Sequence, residues 1–122
     1  MNPKEIMLTA AKALDGKKAQ DLRVLAIGDL SILADYFVLA TGTSTTQVKA
    51  LADEVDYQLS QQGVEPARRE GYGSAAWILL DYGSVVVHVF QPESRELYNL
   101  DKLWSDGKPV DVAGLLKGEK AE

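Results

Sequence analysis

The sequence contains no cysteine and only one histidine, His88. The first absence excludes disulfides, zinc–cysteine sites, iron–sulfur clusters and thiol catalysis. The second excludes two-histidine zinc motifs and any mechanism that needs one imidazole as acid and another as base. Positive charge is also scarce: 13 basic residues stand against 18 acidic ones, for a net charge of −5. The basic residues gather no further than the pairs Lys17-Lys18 and Arg68-Arg69, so a phosphate backbone would be repelled and a protein partner is favoured over DNA. No apolar run approaches the ~18 residues of a membrane span. The first turns mix Glu5 and Asp15 with lysines and contain no arginine, which is unlike a secretory signal or a transit peptide. These features predict a soluble cytoplasmic protein with no membrane contact. What is present suits one domain: 122 residues, 46% hydrophobic and 25% charged, enough to bury a core without a metal or disulfide staple.

Local signals predict alternating elements. Asn2-Pro3-Lys4-Glu5 carries an N-cap, a proline suited to the first helical position and an acid at the positive end of the dipole. A helix to about Leu14 follows, with Ile6, Ala10, Ala13 and Leu14 on one stripe and Gly16 as the stop. Leu22 to Ile27 reads as a strand ending at Gly28-Asp29. Tyr36 to Ala40, apolar at successive positions, reads as a strand covered on both faces. Ser44 and Gln47 form the pattern of a capping box, followed by a helix with Val48, Leu51, Ala52, Val55 and Leu59 on its buried stripe and Gly63 at its end. Pro66 to Glu70 fits a short, charged edge strand. Trp77 to Leu80 and Val85 to Phe90, separated by Asp81-Tyr82-Gly83-Ser84, form a β-hairpin. A proline-led helix runs from Pro92 to about Tyr98, and Leu100 to Trp104 adds a turn. The expected architecture is α/β (α+β), a single domain with a mixed sheet of about five strands flanked by helices. Residues 1–106 make up the domain, and residues 107–122 form a C-terminal tail expected to be poorly ordered.

Gly71-Tyr72-Gly73-Ser74-Ala75-Ala76 matches a relaxed dinucleotide fingerprint by letters, but that motif needs a helix after it and here a strand follows. Thr41-Gly42-Thr43-Ser44 places a glycine and hydroxyls before a helix, where free N–H groups hold anions, although the phosphate-binding lysine is absent. Asp35, Asp81 and His88 are the available acids and bases, and no nucleophile-elbow spacing surrounds Ser44 or Ser84. Alternation in the hairpin sets Trp77, Leu79, Val86, His88 and Phe90 on one face, with His88 across from Trp77. Ile78, Leu80, Val85, Val87 and Val89 occupy the other. The second face is uniformly aliphatic and is assigned to the core. The aromatic face is then either covered by a helix or an interface.

Asp35-Tyr36-Phe37-Val38-Leu39-Ala40-Thr41-Gly42-Thr43-Ser44, Glu70-Gly71, Trp77-Ile78-Leu79-Leu80-Asp81-Tyr82-Gly83, Val86-Val87-His88-Val89-Phe90 and Tyr98-Asn99-Leu100-Asp101-Lys102-Leu103-Trp104 closely resemble the ribosomal silencing factor family, also called Iojap-like. The likeness extends from about Ile6 to Asp106. It implies a small α/β protein that binds the large ribosomal subunit through ribosomal protein L-fourteen and blocks joining of the small subunit, lowering translation when nutrients are short. The family's fold is similar to that of nucleotidyltransferases, which hold metal on paired carboxylates. Here the strand Trp77 to Asp81 offers one carboxylate only, so the expectation is no enzyme, no metal and no cofactor.

Under this resemblance the expected partner-binding residues are Glu70, Trp77, Asp81, Tyr82, His88 and Tyr98. Trp77 is the aromatic anchor, Glu70 and Asp81 are acceptors for a basic ribosomal protein, and Tyr82, His88 and Tyr98 each present an apolar body with a polar tip. Three other uses remain open: a large-subunit assembly factor, a nucleotide-binding nucleotidyltransferase-like protein, and a two-fold homodimer through the same patch.

Overall fold

The computed structural model describes residues 1–32 and 34–116. Chain order is α1 (Pro3–Gly16), β1 (Gln20–Ala26), β2 (Tyr36–Thr41), α2 (Thr45–Gln61), β3 (Arg68–Glu70), β4 (Trp77–Asp81), β5 (Val85–Phe90), α3 (Pro92–Tyr98), α4 (Leu100–Leu103), β6 (Lys108–Pro109) and α5 (Val112–Leu116). Among the described residues six strands form one mixed sheet in the order β3-β4-β5-β2-β1-β6. Only β2 and β5 run parallel. No described helix is long and apolar enough to cross a membrane.

The helix starts follow from their caps. The Asn2 side chain accepts from the Glu5 amide at 2.8 Å while Glu5 Oε1 accepts from the Asn2 amide at 2.9 Å, a reciprocal box that satisfies two orphan donors. At α2 the Ser44 hydroxyl accepts from the Gln47 amide at 3.1 Å, as its spacing predicts. Gln47, however, reaches one residue further back and accepts from both the amide and the hydroxyl of Thr43, at 2.6 and 2.9 Å. The Gly42 amide donates to the Phe90 carbonyl. The donors of Gly42 and Thr43 are thus spent inside the fold.

The sheet separates two clusters. On one face α1 and α2 cover Val24, Val38, Ala40 and the aliphatic side of the hairpin, with Ile78, Leu80, Val85, Val87 and Val89 all fully buried. On the other, Leu25, Ile27, Ala34, Leu39 and Phe90 are packed by Leu100 of α4 and by Trp104, with Phe37, Trp77 and Val86 at the margin. Helices therefore flank both faces, and β2, between β5 and β1, is the covered central strand its composition predicts.

Three features depart from the sequence reading. The sheet has a sixth strand, because Leu25 and Ala26 of β1 pair with Pro109 and Lys108. The segment 107–116 contributes this strand and α5, whose Val112, Leu115 and Leu116 pack against the α1–α2 cluster; residues 117–122 lie outside the described residues. Third, the hairpin pairs Trp77 with Phe90 and Leu79 with His88, two residues away from the expected register. Asp81 explains the shift. Its carboxylate accepts from the Gly83 amide at 2.8 Å, and Gly83 takes a left-handed φ of 80°, so the turn tightens and Asp81 joins the strand. A two-residue slip preserves the faces, which is why the division into aliphatic and aromatic sides stands.

The turn between β3 and β4 carries the glycine-rich letters. Gly71 has a φ of 91°, and a Cβ there would overlap the Trp77 carbonyl oxygen. Its carbonyl accepts from the Ala75 amide at 2.9 Å. A strand follows, so the segment is a tight connection and not a nucleotide-binding helix start.

Candidate functional site

The pairing register places Arg68 and Glu70 of β3, Trp77, Leu79 and Asp81 of β4, Val86, His88 and Phe90 of β5, and Phe37 of β2 on one face of the sheet. The helices α3 and α4 cover the middle of this face and leave its β3–β4 side open. Trp77 stands at the boundary, half-buried. Its indole stacks on Phe90 with centroids 5.2 Å apart and leans on Tyr98 at 4.7 Å. Its Nε1–H donates to His88 Nδ1 at 3.1 Å. Behind it the ring contacts continue, His88 to Phe37 edge-on at 4.9 Å and Phe37 to Trp104 edge-on at 5.1 Å.

Tyr98, beside Trp77, is 52% exposed, and α3 and α4 also carry Leu97, 76% exposed, and Leu103, 71% exposed. An exposed aromatic side chain against a half-buried tryptophan is what a protein interface presents. Leu97 and Leu103 are absent from the sequence-derived site. In helices of seven and four residues there is no repeating stripe to tell an outward leucine from a core one.

His88 is only 4% exposed. Burial pushes its pKa down to about 4, against a small upward pull from the Asp81 carboxylate, so the imidazole is neutral at pH 7. It lies under the surface, behind Trp77.

The acids are partly engaged within the chain. Asp81 accepts from Arg68 Nη2 at 3.0 Å and Nε at 3.3 Å, and Glu70 accepts from Arg68 Nη1 at 2.9 Å. Glu70 remains 54% exposed at its side chain and Asp81 21%, so the pair forms an acidic rim around one arginine. Tyr82 sits elsewhere. It packs into the cluster under α1 and α2, with its hydroxyl buried and without a partner among the described residues. Burial, with Asp56 nearby, raises its pKa. Glu70, Trp77, Asp81, His88 and Tyr98 therefore converge on one face, and Tyr82 faces the other.

The α3–α4 segment is tied down by charge. Arg95, 12% exposed at its side chain, donates to Asp101 at 2.8 and 3.1 Å and to the Thr41 hydroxyl at 3.0 Å. Arg23 adds a bond to Asp101 at 3.0 Å. Hydrogen bonding from Arg95 holds the Asp101 carboxyl below its ordinary range. Asn99, at the junction, takes a left-handed φ of 46°, and its side chain accepts from the Lys102 amide at 3.3 Å.

No group of three or more His, Asp or Glu side chains suited to a metal occurs among the described residues. The arrangement offers a surface with an aromatic anchor and an acidic margin, and no paired nucleophile and base.

Known proteins resemble this chain in sequence and fold. The family model described as "Ribosomal silencing factor during starvation" matches residues 1–122. The ribosomal silencing factor RsfS of Bacillus subtilis is 43% identical over 112 residues, covering 92% of this chain and 95% of that one. A crystal structure of a Chromobacterium violaceum protein superposes with a TM-score of 0.84 at 40% identity, over 86% of this chain and 88% of that one. A mouse protein named "Mitochondrial assembly of ribosomal large subunit protein 1" is 33% identical over 92 residues, which are 73% of this chain and 40% of its own. With the match running through the whole chain and the fold shared, this protein belongs to the ribosomal silencing factor family.

Proposed function

We propose that the protein represses translation by docking on the large ribosomal subunit through ribosomal protein L-fourteen and so blocking the small subunit from joining, which lowers translation under nutrient limitation. One observation carries the docking surface: the half-buried Trp77, stacked on Phe90 and in tilted contact with the half-exposed Tyr98. Glu70 and Asp81 form its acidic margin, complementary to a basic ribosomal protein, and the net charge of −5 speeds encounter with it. His88 belongs to the surface through Trp77, and Tyr82 lies outside it. The choice of L-fourteen rests on the family resemblance. Repression by occlusion needs only steric overlap, which a standard patch of ~800 Å² per partner supplies. No catalytic step, metal or cofactor enters this reading, and its setting is the cytoplasm.

A second reading, assembly of the large subunit, is favoured by the name of the mouse relative. A two-fold homodimer would bury the same face and compete with docking.

The test is sedimentation of purified subunits under joining conditions, with and without excess protein. Co-sedimentation with the large subunit and fewer joined ribosomes support repression. Binding that leaves joining untouched, together with precursor particles on loss of the protein in cells, favours assembly. No binding to the large subunit sinks both.

A further inference from the structure

We infer that His88 is a positioning residue, whose imidazole holds the indole of Trp77 in the orientation that docking uses. This rests on the docking reading above and adds a residue that itself never meets the partner.

The geometry makes the case. Trp77 Nε1–H donates to His88 Nδ1 at 3.1 Å. Accepting at Nδ1 places the single imidazole proton on Nε2. That nitrogen is buried and has no hydrogen-bond partner among the described residues. A buried N–H without an acceptor is costly, and each such case in a folded protein calls for a reason. A leucine at this position would avoid the cost, since the neighbours are the rings of Trp77, Phe37 and Phe90. The carboxylate on the same face gives His88 no compensation, because Asp81 is bonded to Arg68 and to the Gly83 amide. What the imidazole does supply is an acceptor for the indole.

That acceptor turns the N–H edge of Trp77 inward. The indole is then pinned at three places, by the bond to His88, by Phe90 beneath it and by Tyr98 beside it. An anchor already held in its bound rotamer loses less freedom on docking.

The experiment uses the full chain and two readouts. The indole N–H resonances of Trp77 and Trp104 are followed in a ¹⁵N–¹H spectrum, with Trp104 as internal control, and binding to purified large subunits is followed by sedimentation. His88→Leu should move the Trp77 indole resonance, speed its exchange with water, leave Trp104 in place and weaken binding about tenfold. His88→Asn, whose side-chain oxygen sits near the place of Nδ1, should recover most of both signals. In a Trp77→Phe background, which has no indole N–H, His88→Leu should change affinity less than about twofold. If His88→Leu does not fold, His88→Phe keeps an aromatic ring without a nitrogen and replaces it. A folded variant with unchanged resonance or unchanged affinity overturns the inference. So does a loss of equal size in the Trp77→Phe background. If Trp77→Phe abolishes binding, rescue by His88→Asn decides, and its failure to rescue overturns the inference. Wild-type protein that does not bind the large subunit overturns the docking reading instead, and the purpose assigned to His88 falls with it even if the resonance arm shows the bond.

Discussion

Arg95 and Asp101 are joined across the α3–α4 junction by two hydrogen bonds, of 2.8 and 3.1 Å, and both side chains are largely withdrawn from water. The same guanidinium reaches Thr41 at the end of β2, so one side chain fastens both short helices to the sheet. Helices of this length are not stable alone. The placement of the exposed Leu97, Tyr98 and Leu103 on these helices therefore depends on that fastening.

Arg95→Ala should destabilise the protein by about 2 kcal/mol, the scale of lost hydrogen bonds to a charged group that is left partly buried. Urea unfolding measures the total. The location is read by hydrogen exchange: amides of α3 and α4 should lose protection while those of β4 and β5 keep theirs. Equal loss of protection in all four elements would mean that Arg95 supports the whole core rather than α3 and α4.

Gly71→Ala should be among the most damaging single changes, at about 3 kcal/mol. The position needs φ near 91°, and a Cβ would overlap the Trp77 carbonyl oxygen, so the β3–β4 junction must open. Gly73, two residues on in the same turn, has open space around a would-be Cβ and no positive φ. Gly73→Ala should stay within about 0.5 kcal/mol of wild type. Thermal or urea unfolding of the two variants compares them directly, and similar values for both would refute the steric account.

Local chemistry made much of this legible. The Asn2 cap, the Ser44 cap, the edge character of Arg68-Arg69-Glu70 and the two faces of the hairpin all follow from residue types and spacing alone. The hairpin register did not, because it depends on the Asp81 carboxylate capturing the Gly83 amide, a three-dimensional choice between two turns of the same parity. Nor did β6, whose two residues pair with a strand more than eighty positions earlier and carry no local signal. The Arg95–Asp101–Arg23 cluster was equally hidden, since charges on a short helix read as solvated until the fold brings them together. Of the site, Trp77, His88 and Phe90 were placed on one face by alternation. Tyr82, one step past Asp81, points to the other side of the sheet by the same alternation.

The single histidine gives stability a pH dependence with a definite sign. His88 has a folded pKa near 4 against an ordinary value of 6.5, so below pH 6.5 the unfolded chain binds a proton that the folded one does not. Stability is full above about pH 6.5, falls as pH drops toward 4 and becomes insensitive to this group below that. Between pH 7 and pH 5 the loss should be about 2 kcal/mol. Asp101, whose pKa is also lowered, from 3.8, shifts in the same direction and loses its contribution only at more acid pH, outside this window. Urea unfolding at pH 7 and pH 5, repeated on His88→Leu, isolates the effect. The variant should be nearly flat across the interval, and an unchanged slope would place the titrating group elsewhere.

Binding and stability should separate between the two faces of the sheet. Trp77→Ala removes the anchor and should weaken association with the large subunit by about 2 kcal/mol, roughly thirtyfold, the scale of an interface hot spot. Tyr82→Phe removes a hydroxyl that is buried without a partner on the α1–α2 side. It should leave that association unchanged while stabilising the fold by about 1 kcal/mol, because the desolvated hydroxyl no longer has to be accommodated. Sedimentation with large subunits and urea unfolding, run on both variants, give four numbers. A docking loss in Tyr82→Phe as large as that in Trp77→Ala would move the interface to the hairpin turn or to the helical face. Loss in Trp77→Ala alone, with that variant still folded, would fix it on the side where Phe90, Tyr98 and His88 hold the indole.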